Sequence, residues 1–208
     1  MSRPWDIPLS RRAIRRARRR FLIVAEDAKS GLDYLRAFRV SPRVAEIVPV
    51  GGAGNTVSVV ECALDLREKA LSAKLPFIHT WCVIDRDEHP QDRYQRAFDL
   101  AKPHDDVTVI WANECFELWY LLHFCYRDTA IGRADLRREL GKPERLNRKY
   151  DKADQEIFAL LEKLRPTAHR NAERLLKFNP SPLSNPSTNI HRLVERLVAL
   201  QQAASEAP

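Results

Sequence analysis

The sequence predicts an α/β domain: a mostly parallel sheet flanked by helices, with a helical C-terminal portion. Three observations carry that reading. Short apolar runs, FLIVA at 21–25, AEIVPV at 45–50, a third from about Phe77 to Ile84 and VTVIW at 107–111, alternate with stretches of helical apolar spacing. Each run is bounded by polar or glycine-rich residues, as buried strands are. From Asn113 onward the pattern turns wholly helical.

The elements follow in order. Residues 1–20 read as a basic N-terminal arm, with Ser10 able to cap a short helix from Arg11. After the first strand, Leu32, Leu35 and Phe38 recur at helical spacing, with Ser30 as the cap. The second strand ends at GGAGN, residues 51–55, and a helix is expected from about Thr56 to Ala73. The third run is followed by a helix over 91–101 and then by the fourth strand. Asn113 is placed to cap NECFELWYLLHF, and further helices are expected near 133–140, 151–164, 168–177 and 190–202, with the loop NPSPLSNPSTN at 179–189 between the last two. The resulting division is an arm over 1–20, an α/β core over 21–125 and a helical extension over 126–208 packed on the core.

Length and composition fit one soluble domain: 208 residues, 44% hydrophobic and 30% charged. The net charge is +7, and seven of the ten residues from Arg11 to Arg20 are arginine. Such a cluster neutralises phosphates or packs against carboxylates, and both readings stand. Its candidate nucleic-acid contacts are Arg15, Arg16, Arg19 and Arg20, joined from the C-terminal half by Lys152. The four cysteines form no CxxC pair, which fits buried thiols in a reducing compartment. With no long apolar stretch and no apolar signal core, the expected location is cytoplasmic, away from membrane.

The chemistry concentrates in WCVIDRDEH, residues 81–89. If extended geometry continues past Ile84, Asp85 and Asp87 share a face. In a parallel sheet the carboxyl ends of all strands open on one edge, where ligands usually bind, so Glu26 after the first strand would meet them there. Hard carboxylate oxygens suit Mg²⁺ or Mn²⁺. His89 is a ligand, phosphate contact or proton donor on one reading and a polar loop residue on the other. Arg86 should point away and act as a brace. GGAGN either closes on a phosphate or is a plain turn; it lacks the lysine of a P-loop. Glu117, inside a heavily apolar helix, must be partnered or face a cleft, and is a candidate active-site residue. His123 reads as a satisfied core or rim histidine. Asn185, Thr188, Asn189 and His191 are explained by capping and loop-holding, with a phosphate groove as the alternative.

Taken together, FLIVAED…SGLDYLRAF, WCVIDRDEH, WANECFELWYLLHF and SNPSTNIHRLVERL resemble the RloB-like family from about Arg12 to Leu200. The resemblance implies a TOPRIM-like catalytic core and a setting beside restriction-modification and phage-defence genes. In the TOPRIM pattern a glutamate and a later DxD hold divalent metal for cleavage of a nucleic-acid backbone; Glu26, Asp85 and Asp87 match them. The chain departs from the family pattern at Asp27, at Ser30 and Gly31, and at Glu114. The expected activity is that of a Mg²⁺- or Mn²⁺-dependent nuclease in anti-phage defence, with Glu117 and His89 in support. The alternatives are a non-catalytic nucleic-acid or nucleotide sensor, and a regulatory subunit of an ATPase encoded nearby.

Overall fold

The computed structural model describes residues 19–26, 31–87, 89–154 and 156–205. Arg15, Arg16, Asp27 and Ser30 lie outside them, as does the expected short helix from Arg11. In chain order the elements are β1 (Arg19–Ala25), α1 (Gly31–Arg36), β2 (Ala45–Val50), α2 (Thr56–Ser72), β3 (His79–Asp85), α3 (Gln91–Ala101) and β4 (Val107–Asn113). The C-terminal half adds α4 (Glu117–Leu122), α5 (Arg133–Leu140), α6 (Ile157–Glu162), α7 (Arg165–Phe178), β5 (Ser187–Thr188) and α8 (Ile190–Ser205).

The sheet order is β2-β1-β3-β4-β5. The first four strands are parallel, and only β5 runs antiparallel to its neighbour. Side-chain direction has period two along each strand, so the sheet divides its apolar residues between two faces. Leu22, Val24, Cys82 and Ile84 pack on one face with Val59, Val60 and Ala63 of α2 and with Tyr94 and Ala97 of α3. Phe21, Ile23, Ala25, Trp81 and Val83 face the other way, into the larger core built with α1 and the C-terminal helices. That alternation matters for the site, because Asp85 has the parity of Val83 and is aimed at the helical half.

Four of the differences from the sequence reading have a clear physical cause. β1 starts at Arg19, two residues before the apolar run, because the ladder to β2 begins with Arg19 opposite Ala45. β4 runs on through Asn113, which therefore caps nothing; its side-chain amide donates to the Pro182 carbonyl at 3.2 Å, and α4 waits until Glu117. The helix expected over 151–164 shrinks to α6, since Asp151 and Asp154 tie up the backbone N–H groups of Ala153 and Glu156 in local turns. Finally, β5 falls in a stretch that reads as loop, and it is too short for any alternating pattern to show.

α1 packs closely against the segment entering α4. A Cβ on Gly31 would lie 2.5–2.9 Å from three ring atoms of Phe116, so only glycine permits this approach.

Candidate metal centre

Because β1 and β3 are adjacent and parallel, their last residues emerge side by side. Glu26 follows β1 directly, and Asp85 ends β3. The backbone then turns: Asp87 has φ of 41°, so the extended geometry that the DxD reading invoked stops at Asp85. The turn is held from across the sheet. The Arg86 and Asp87 N–H groups both donate to the Glu114 carbonyl, at 3.1 and 3.0 Å. Arg86 donates to the His89 carbonyl and lies 5.3 Å over the Tyr94 ring, which makes it the brace expected of it.

The two aspartates converge nonetheless. One ligand atom each from Glu26, Asp87 and His89 lies within 4.8 Å of the others. His89 Nε2 is 3.6 Å from Glu26 Oε2. Asp85 stands beside this trio: Arg133 Nη2 pairs with Asp87 Oδ1 and lies 3.9 Å from Asp85 Oδ2. The cleft that holds Glu26, Asp85 and Asp87 has a volume of about 190 Å³ and is also lined by Gly54, Arg133 and Lys152.

Its electrostatics are those of crowded like charge. Desolvation first, then the charges of Glu117 and Glu26, push the Asp85 carboxyl well above the usual range, against the pull of Arg133 and of the Phe116 N–H. Desolvation, helped by Arg93 and Arg86, holds His89 below the ordinary imidazole value and so favours the neutral, metal-ligating form. The donor set, carboxylate oxygens with one imidazole nitrogen, suits a divalent metal ion.

Glu117 is buried and sits one layer behind. Its Oε1 is 3.4 Å from Arg137 Nε, and its charge adds to the burial that raises the thiol of Cys115, the phenol of Tyr150 and the carboxyl of Asp85. It thus has a partner and also acts on the site through Asp85; the 4.8 Å cluster does not include it. His123 is a core histidine satisfied at one nitrogen only: its Nδ1 donates to the Trp119 carbonyl at 2.9 Å, while the buried Nε2 has no hydrogen-bond partner. GGAGN is a turn whose Gly52 and Gly54 take positive φ, and its Asn55 caps α2 by accepting from Ser58 N–H at 3.3 Å. Gly54 nevertheless borders the acidic cleft.

The basic candidates separate. Lys152 lines the cleft, whereas Arg19 and Arg20 open β1, one strand length or roughly 20 Å from the carboxyl edge. Arg20 is engaged there by Glu46 at 3.0 Å, by the Leu75 carbonyl and by the Phe77 ring. Arg133 is the residue that sequence reasoning missed. It opens α5, 46 residues beyond Asp87, in a segment whose only visible signal was helix.

The Asn185–Asn189 group is structural. Asn189 accepts from Trp111 N–H at 2.7 Å and donates to the Val109 carbonyl at 3.1 Å, while Thr188 and Ser187 bond Trp111 and Asn179. Asn185 donates to Glu114 Oε2 and to the Ile131 carbonyl and accepts from Ile131 N–H.

A parallel α/β sheet with acids gathered at its carboxyl edge defines a TOPRIM-like domain carrying a candidate metal cluster. Residues 21–197 match the RloB-like protein family, and the chain belongs to it. No curated protein and no solved structure matches the chain at a significant level. All four cysteines are free thiols, and no helix among the described residues is long and apolar enough to cross a membrane.

Proposed function

We propose that this protein is a Mg²⁺- or Mn²⁺-dependent phosphodiesterase that cleaves nucleic acid. The observation that carries the reading is the convergence of Glu26, Asp87 and His89 within 4.8 Å, with Asp85 alongside, at the carboxyl edge of a parallel sheet. A divalent cation held by these residues would neutralise charge on a phosphate oxygen and lower the pKa of an attacking water. The protein's own groups do the rest. Arg133 and Lys152, on the rim of the cleft, hold the phosphate and screen its charge from the carboxylates. His89, neutral at physiological pH, accepts a proton or completes the ligand set. Glu117 keeps Asp85 electrostatically poised from behind. The family's setting beside phage-defence genes extends the reading to a cytoplasmic antiviral nuclease.

The test is cleavage of labelled DNA and RNA in Mg²⁺ or Mn²⁺ by the native chain and by a Glu26→Gln, Asp85→Asn, Asp87→Asn variant of unchanged circular dichroism. The reading requires metal-dependent cleavage by the native chain alone. Equal cleavage by both proteins, or by neither under any metal, would overturn it and leave a binding protein on the same fold.

A further inference from the structure

Arg133 reaches into the acidic cleft from the first residue of α5, and its stem and its head are held on different terms. The chain behind it is fixed. The Asn185 side chain donates to the Ile131 carbonyl at 3.3 Å and accepts from the Ile131 N–H at 3.1 Å, and the Gly132 carbonyl accepts from the Leu136 N–H at 2.9 Å. The guanidinium is held by carboxylates: its Nη2 pairs with Asp87 Oδ1 and lies 3.9 Å from Asp85 Oδ2. The side chain is 36% exposed, and a Cβ added to the neighbouring Gly132 would meet nothing within 4 Å. The head is therefore free to leave the aspartates by rotation of its own side chain, with α5 unmoved.

Asp87 is claimed twice. The same carboxylate that pairs with Arg133 belongs to the cluster with Glu26 and His89, whose ligand atoms lie within 4.8 Å of one another. A guanidinium and a divalent cation that share one carboxylate repel each other, and a half-buried cleft screens that repulsion less than water does. The other arginines at this edge are committed elsewhere, Arg86 to the His89 carbonyl and the Tyr94 ring, Arg137 to Glu117. Taking Arg133 away with nothing in its place would leave the aspartates uncompensated, so its release needs a cation to replace it and gains from an anion to receive it. A phosphodiester is such an anion, since its paired oxygens match the fork of a guanidinium.

Building on the phosphodiesterase reading, we infer that Arg133 competes with the divalent metal for Asp87 and is drawn off by a phosphate of the nucleic acid, so that metal and substrate bind cooperatively. Each tightens the other by the same factor, as linkage requires. The site then takes up metal firmly only when a phosphate backbone lies in the cleft. An arginine that merely supported the metal ligands would act in the opposite sense, because losing such an outer partner typically costs about 10–100-fold in metal affinity. The sign of the effect separates the two roles.

The test reads metal binding and does not depend on cleavage. Calorimetric titration with Mn²⁺ compares the native chain with Arg133→Gln, each alone and each saturated with phosphorothioate DNA or RNA, whose backbone keeps its charge and resists hydrolysis. Without nucleic acid, Arg133→Gln is expected to bind Mn²⁺ about tenfold more tightly than the native chain. With it, the native chain is expected to gain about tenfold and to match the variant within about twofold. A methylphosphonate strand of the same sequence, which carries no backbone charge, should leave the native affinity unchanged. Lys149→Gln removes an equal charge from the space beside the cleft and should shift Mn²⁺ affinity by less than about twofold, as exposed charges do. Arg133→Met repeats the comparison should the glutamine variant fail to keep the native circular dichroism. Equal or weaker Mn²⁺ binding by the folded Arg133 variants, an equal gain from Lys149→Gln, or a native affinity indifferent to the charged strand overturns the inference, and metal-dependent cleavage would then leave the phosphodiesterase reading standing. Coupled binding of Mn²⁺ and strand through Arg133, with no cleavage of an unmodified strand, supports the inference and sinks that reading.

Discussion

Two polar clusters sit at the carboxyl edge of the same sheet, and they are built on opposite terms. In the latch between β4 and β5, Asn185, Ser187, Thr188 and Asn189 meet matched partners, mostly backbone N–H and C=O groups together with the Trp111 indole N–H and the Glu114 carboxylate, at 2.7–3.3 Å. In the acidic cleft, Glu26, Asp85 and Asp87 crowd together, and one guanidinium, Arg133, faces both aspartates. Buried polar groups with matched partners rigidify a fold, whereas like charges held together at a cost to folding mark a place where a cation or substrate completes the balance. Composition does not distinguish the two clusters, since both are strings of small polar or acidic residues near strand ends; the inventory of partners does.

The contrast breaks if the acids are also structural. Asp87→Asn is expected to lower metal-dependent cleavage by about a thousandfold, the several kcal/mol that metal-ion charge stabilisation supplies. Its melting temperature in EDTA should stay close to native, because relief of the like-charge crowding offsets the lost ion pair with Arg133. A variant that melts several degrees lower would place Asp87 with the latch, as part of the scaffold.

Asn189→Ala is the mirror experiment. It leaves the Trp111 N–H and the Val109 carbonyl without their side-chain partner, which costs about 3 kcal/mol when such groups are shielded from water. Urea unfolding should show that loss, while cleavage per folded molecule stays within about twofold of native, the scatter expected of a change that touches no reacting group. A large loss of cleavage at full stability would move the latch into the site.

Acid sensitivity sharpens the comparison through two buried histidines, whose effect runs opposite to that of the raised Asp85 carboxyl. Burial pushes both His123 and His191 down to about 4. The unfolded chain therefore binds protons that the folded one refuses between the ordinary histidine value near 6.5 and about 4, and stability falls as pH falls through that window. Glu139, held down to about 2 by Lys142 and Arg145, loses its contribution only at lower pH, from its ordinary value near 4.5 downward. His123→Phe keeps the ring packing against Tyr34 and Trp119 and should flatten the loss between pH 6.5 and 4 by a few kcal/mol at its lower end. An unchanged profile would show that His123 is not what the proton attacks.

Legibility follows the range of the interaction. The first four strands and α3 were readable because burial on both faces and helical spacing are local patterns, and Glu26 and Asp85 were readable because each stands where a strand ends. Asp85 and Asp87 border the same cleft by way of a turn, so the strand parity from which the sequence reading argued does not hold past Asp85. Arg133 was not readable, since its meeting with Asp87 depends on how α5 docks. β5 was not readable either, because two residues carry no period and their pairing rests on Asn189 and Thr188 side chains.

The smallest effect tests the loop that belongs to both kinds of region. GGAGN supplies a structural cap through Asn55 and a wall of the acidic cleft through Gly54. Asn55→Ala should cost about 1 kcal/mol in chemical unfolding, the ordinary worth of an N-cap, without altering cleavage. Gly54→Ala meets no close contact, its nearest neighbour being the Ser58 Cβ at 3.6 Å, so its cost comes from the backbone alone: φ of 93° is strained for an L residue by about 1–2 kcal/mol. If the loop is only a turn, the two variants lose stability together and cut like the native chain. If its backbone N–H groups also face a phosphate, Gly54→Ala alone raises KM while kcat holds, because what is disturbed is binding and not the reacting centre.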